Sequence, residues 1–294
     1  MKAIKLLLVL FTLSALAVYG QQASSKKAVK KNIGLQLYSL RDDFNKDFNS
    51  TIAAAGKAGY KYAEAASYAN GKFYGLDPKE YKAKVEAAGM VSLSTHTNRV
   101  VDVNELQSAN WDEVYKWWDT AIDAAKAAGM KYVVMPSMPR DFNKLSDLQI
   151  YCDYMNKIGE KCNAKGLRFG YHNHNFEFKK VEDKLMYDYM LEHTNPALVF
   201  FQMDVYWAVR GQQSPVEYFE RYPGRFEMLH IKDHKELGES GMVGFDAIFK
   251  HIQKAGTKYL IVEVEKYNYP PLESVQKSLD YLLNAPYVKA DYSK

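Results

Sequence analysis

The chain has 294 residues, 47% hydrophobic and 25% charged, which supports a sizeable core and excludes a disordered or low-complexity protein. Its formal net charge is +4, and two of the positive charges, Lys2 and Lys5, sit in a leader-like N-terminus. The body carries no Arg-rich block, a balance too mild to imply nucleic acid as a partner.

Lys2 and Lys5 precede the apolar run LLLVLFTLSALAV, with small residues at Ala17 and Gly20. This predicts a secretory signal peptide over residues 1–20, cleaved near Gly20–Gln21, and hence an exported, periplasmic protein with no membrane partner after cleavage. The run is shorter than the roughly 20 residues a spanning helix needs. No Cys stands near the junction to carry a lipid anchor. Residues 21–31 read as a solvated lead-in and 32–294 as a single domain.

From residue 32 strand and helix alternate. Asn32–Ser39 is a first strand, followed by a helix through Thr51–Lys57, and Tyr60–Ala65 is a second. Asp77 and Pro78 open a helix as cap and first-turn proline. Met90–Thr95 is a third strand ending at His96. A long helix, Asn110–Ala128, places Val114, Trp117, Trp118, Ile122 and Ala125 at helical spacing, a core face. Lys131–Met135 is the fourth strand. The helix from Lys144 to Ala164 carries both cysteines, Cys152 and Cys162. Ten residues of helix separate them by roughly 15 Å, too far for a disulfide, so free thiols are expected.

Leu167–Phe178 (LRFGYHNHNFEF) is a fifth strand running into a polar cluster. A short helix near Leu185–Glu192 leads to a sixth strand, Leu198–Met203, which reaches Asp204. A helix over Ser214–Tyr222 and a seventh strand, Phe226–Lys232, follow. After a polar loop, the helix Phe245–Ala255 precedes the eighth strand, Tyr259–Glu263. A helix from Pro271 to Leu283 is the last. Five helix exits share one form: KAGYKY, AAGMVS, AAGMKY, AKGLRF and KAGTKY. In each, a glycine suits the left-handed residue after a helix and an apolar strand starts almost at once. Eight such units in one domain predict an α/β fold, a closed (β/α)8 TIM barrel.

A barrel of this kind builds its site from the C-terminal ends of its strands. Those ends carry Gln36 and Tyr38, Glu64, His96, His172 and His174, Asp204, His230 and Lys232, and Glu263 and Glu265. The strand starts show nothing comparable. A lone histidine is more often a satisfied core residue, but His172 and His174 share a face of one strand and align with Asp204 and His230 at matching ends. Glu263 inside LIVEV is costly to bury unpaired. His172, Asp204, His230 and Glu263 therefore form a candidate set for one divalent metal ion, suited to Mn²⁺, Zn²⁺, Co²⁺ or Fe²⁺ more than Ca²⁺, with Mg²⁺ a further option.

The segments GLQLYSLRD (34–42), GYHNHNFEF (170–178), MDVYWAVRG (203–211), LHIKDHK (229–235) and YLIVEVEKY (259–267) resemble the xylose isomerase-like TIM-barrel superfamily, closest to its exported sugar phosphate isomerase/epimerase-like branch. The resemblance implies a metal held by Glu, Asp, His and Glu from strands five to eight. The last three match Asp204, His230 and Glu263. The first is His172 here, and His174 or Glu177 could serve instead. Where several relatives carry histidine, this chain has Trp207, which implies an apolar wall or a stacking platform for a sugar ring. The implied chemistry is proton abstraction beside a carbonyl, with Glu263 or His174 as base, Lys232 as a cation for an oxyanion or a hydroxyl, and Glu177 orienting a histidine or binding a hydroxyl. Gln36, Tyr38, Glu64 and His96 would contact substrate hydroxyls. The expected activity is metal-dependent isomerisation or epimerisation of a non-phosphorylated sugar or keto-sugar through an enediolate. A lyase or hydratase acting on 3-keto-sugars or 3-keto-glycosides, and a non-catalytic sugar-binding barrel, are the alternatives.

Overall fold

Eight short parallel strands close on themselves in a computed structural model that describes residues 30–293; the predicted signal peptide lies outside the described residues. They are β1 (Ile33–Gln36), β2 (Tyr62–Ala65), β3 (Val91–His96), β4 (Tyr132–Met135), β5 (Arg168–His172), β6 (Val199–Asp204), β7 (Met228–Ile231) and β8 (Tyr259–Val262). Each pairs with its neighbours in sequence, and β1 closes the ring on β8 through Gly34 and Ile261. All five glycines of the repeated helix exit have positive φ, so each turns its chain back toward the barrel where a Cβ would be strained.

The long helices fall where the sequence pattern puts them, at Trp111–Ala127, Leu145–Ala164, Phe245–Ala255 and Pro271–Asn284. In the first, Val114, Trp118, Ile122 and Ala125 are buried, whereas Trp117 is half-buried and meets the ring of Tyr68 edge-on. Pro78 opens its helix as expected, but Asp77 makes no side-chain cap; its carboxylate pairs with Lys72 instead. Cys152 and Cys162 are buried free thiols, and burial pushes Cys162 up to about 12. Additional to the expected pattern are a helix at Val205–Arg210, directly after β6, and two-residue hairpins at 68–73 and 180–185.

Two apolar layers support the barrel. The larger lies between helices and strands. The smaller contains Tyr132, Val134, Phe200, Met228, Tyr259 and Ile261. Tyr132 on β4 touches Tyr259 on the opposite strand β8, with ring centroids 5.5 Å apart, so this cluster fills the lumen. By the two-residue period of a strand, the next inward positions are Gln202 and Asp204 on β6, His230 on β7 and Glu263 after β8. The polar groups are thus stacked on an aromatic plug. At the seam, Lys31 Nζ donates to the carbonyls of Leu282 and Ala285 at 2.8 and 2.7 Å, and Asn32 N donates to Ala290 O, which clasps the first strand to the end of the last helix.

Candidate active site

Strand register decides which side chains meet. Pairing of β6 with β7 sets Asp204 beside His230, and pairing of β7 with β8 sets Ile231 beside Val262, so Lys232 emerges next to Glu263. His172 lies on β5 opposite Gln202. His172, Asp204, His230 and Glu263 each offer one ligand atom, all within 4.8 Å of one another and all on buried residues; His96, His172 and His230 form an overlapping trio. The three imidazoles pack together, with centroids 4.5 to 5.1 Å apart.

Three atoms in this centre have no hydrogen-bond partner: His172 Nδ1, Asp204 Oδ2 and His230 Nδ1. His230 Nδ1 does approach Glu263 Oε2 at 3.4 Å, an ionic contact without hydrogen-bond alignment. Buried polar atoms of native proteins are normally paired, so convergent orphans on residues of metal-ligating type fit a cation. Asp204 presents Oδ2 alone because its Oδ1 accepts from Trp207 N at 2.9 Å, capping the Val205–Arg210 helix.

The charge balance points the same way. Asp204, Glu263 and Glu265 surround one ammonium, Lys232, whose Nζ lies 2.9 Å from Glu263 and 3.0 Å from Glu265. Protons fill the deficit of positive charge. Burial pushes Asp204 up to about 7 against the pull of Lys232 and His230. Burial would lower His230, but Glu64 and Glu263 raise it to about 10. Burial also raises Glu263, yet Lys232 and His230 hold it well below the usual carboxylate range. His172, buried among His230 and His96, stays far below the usual imidazole value.

Gln36 and Glu64, expected to contact hydroxyls, lie under the floor of the site, both fully buried. Glu64 Oε1 accepts from Gln36 at 2.9 Å and His230 Nε2 at 2.6 Å, while its Oε2 accepts from Ser94 at 2.7 Å and Gln202 at 2.9 Å. Its acceptors are filled from below, so Glu64 orients His230 and turns Nδ1 toward the centre, the usual support of a ligating imidazole. Burial opposes ionisation of Glu64, but His96 and His230 bring it down to about 2. Glu177 is likewise away from the mouth. It is fully buried, accepts from Tyr171 Oη at 2.7 Å and His174 N at 2.9 Å, and pins the turn that carries His174. Burial raises it to about 7.

Tyr38, His96, His172, His174, Glu263 and Glu265 line a cavity of about 280 Å³ above this centre. Tyr38 stands on the one-turn helix after β1 and is 42% exposed. His174 lines the cavity while its Nδ1 is buried without a partner, and burial lowers the pKa of the imidazole to about 4 despite the nearby Glu263 carboxylate. Trp207 packs against His174 at 5.7 Å between centroids and holds Lys232 Nζ 5.3 Å from its ring centroid. Sequence reasoning missed Gln202, Ser94 and Asn173. Gln202 bridges Glu64 and His96, and Asn173 Oδ1 accepts from Asp204 N at 3.0 Å. An amide inside VFFQMD was a legible signal, since a polar side chain in a buried run must find partners.

A (β/α)8 barrel whose strand ends converge on a buried His–Asp–His–Glu centre beneath a polar cavity defines the class. Residues 52–285 match the family described as xylose isomerase-like TIM barrel, and the chain belongs to that family of enzymes. It is 36% identical to a solved sugar phosphate isomerase/epimerase from Parabacteroides distasonis ATCC 8503, with a TM-score of 0.83 over 90% of this chain and 98% of that one. It is also similar to inosose dehydratases. The match to that of Geobacillus kaustophilus is 23% identical over 209 residues, 66% of this chain and 64% of the relative's length. The match to that of Lacticaseibacillus casei is 23% identical over 284 residues, 81% and 91% of the respective chains.

Proposed function

We propose that this protein is a divalent-metal-dependent sugar isomerase or epimerase acting on a non-phosphorylated sugar or keto-sugar. The observation that carries this is the convergence of unpartnered donor atoms on His172, Asp204 and His230, with Glu263, at the floor of a cavity of sugar-binding character. A divalent ion held by these four residues would supply Lewis acidity to adjacent substrate oxygens. His174, which lines the cavity and is unprotonated at neutral pH, takes the proton from the carbon beside the carbonyl. The substrate is then an enediolate, and Lys232 faces its developing negative charge as a fixed ammonium. Return of the proton to the neighbouring carbon, with the hydroxyl proton passing between the two substrate oxygens, isomerises the sugar; delivery of a proton from the other face to the same carbon epimerises it.

The inosose dehydratases among the relatives favour a second reading, in which the same enediolate loses a β-hydroxyl or β-glycosyl group as a lyase. Metal analysis of the purified protein tests the shared basis. About one ion per chain is expected, lost in His172→Ala and Asp204→Ala; a wild-type protein that takes up no Mn²⁺, Zn²⁺ or Co²⁺ refutes the mechanism. Incubation of keto-sugars in D2O then separates the readings: deuterium at the carbon beside the carbonyl with retained composition marks isomerisation or epimerisation, and release of water or aglycone marks the lyase.

A further inference from the structure

A second cavity, of about 230 Å³, adjoins the first and shares Tyr38 and Ala66 with it. Joined, the two fall well inside the range usual for ligand pockets, ~300–1,000 Å³. We propose that they form one bipartite site, with the reacting sugar above the metal-ligating residues and a second, neutral sugar ring in the outer cavity. This rests on the functional reading above and narrows its substrate class to glycosides of at least two rings.

Tyr38 is the wall between the two compartments. Tyr38 is 42% exposed, yet its ring is held by a neighbouring cation. The Arg41 guanidinium lies 4.6 Å from the Tyr38 ring centroid, donates to Tyr38 O at 3.2 Å and Tyr267 Oη at 2.8 Å, and reaches Glu265 O at 3.4 Å. Arg41 therefore ties the outer cavity to the segment that carries Glu265 into the inner one. A preorganised aromatic face with polar groups at its edge is the arrangement that receives a pyranose ring, apolar on its C–H face and hydroxylated at its rim. Asp42, Asn45 and Ser67 supply that rim, and Asp42 and Asn45 are exposed. An anionic group is disfavoured there. Three of the Arg41 donors are engaged by neutral oxygens of the protein, and Asp42 adds a negative charge beside the guanidinium.

The test is calorimetric binding to the Mn²⁺-loaded protein of a panel of hexoses, each with its α- and β-linked disaccharides, for the wild type and for Asn45→Trp, which fills the outer cavity from an exposed position. At least one disaccharide is expected to bind tenfold or more tightly than its parent hexose, and Asn45→Trp is expected to bring that ratio close to one. Disaccharides that bind no better than their hexoses overturn the bipartite site and leave the sugar-site reading standing. A ratio unchanged in Asn45→Trp also overturns it, because the second ring then lies elsewhere. A loaded protein that binds no sugar of either kind overturns both.

Discussion

At the residue scale, the centre balances its carboxylates with protons, and this has a measurable consequence. An ion that takes the four donors must displace whatever protons they hold. His230, raised to about 10, carries one throughout the neutral range, and Asp204, raised to about 7, carries a second increasingly as pH falls below 7. Proton release per ion bound should therefore be about one at pH 8 and rise toward two at pH 6, with affinity increasing as pH rises. Calorimetry in buffers of different ionisation enthalpy measures the count. Glu64 holds His230 through Nε2 and also lies 3.2 Å from His96 Nε2. Glu64→Gln keeps the volume and weakens the Nε2 contact, and metal affinity is expected to fall by about 10–100-fold, as for other supports of a ligating histidine. An unchanged affinity would remove Glu64 from the positioning role.

At the element scale, close approach of helix to strand depends on small residues. Gly159, inside the Leu145–Ala164 helix, packs on the chain entering β6, and a Cβ there would lie 2.6 Å from Leu198 O. That contact is with backbone and cannot be relieved by a rotamer change. Gly159→Ala is expected to lower stability by about 1–3 kcal/mol, read as a reduced melting temperature with the barrel spectrum retained. The same elements show what a sequence can and cannot tell. The glycine exits at 59, 89, 129, 166 and 256 state both the helix end and the start of the next strand, so the eightfold pattern was legible. The Val205–Arg210 helix was not, since six residues with aromatics at 206 and 207 carry too little periodicity to separate a helix from a loop. Strand-end position located Glu64 and Gln36 at the correct rim. It could not give their depth, because depth follows from register: Gln36 pairs with Glu64 across β1 and β2 and both point beneath the cavity.

At the scale of the whole molecule, the lumen divides into an aromatic lower half and a polar upper half, so the ionisable groups sit on a largely apolar base. Interactions between charges are stronger there than at an open surface. The clasp at the seam bears on the chain as a whole. Lys31 holds the end of the last helix, and Asn32 bonds to Ala290, so the residues that begin and finish the barrel are neighbours in space. In connectivity as in shape, the domain is nearly a closed ring. A circular permutant that joins residue 293 to residue 30 through a short Gly/Ser linker, and opens the chain at the exposed glycine turn near Gly241, is expected to fold into the same barrel and bind the same ion. Circular dichroism with metal analysis would show it, and loss of both would mean that the order in which the strands are made matters more than where the chain is cut.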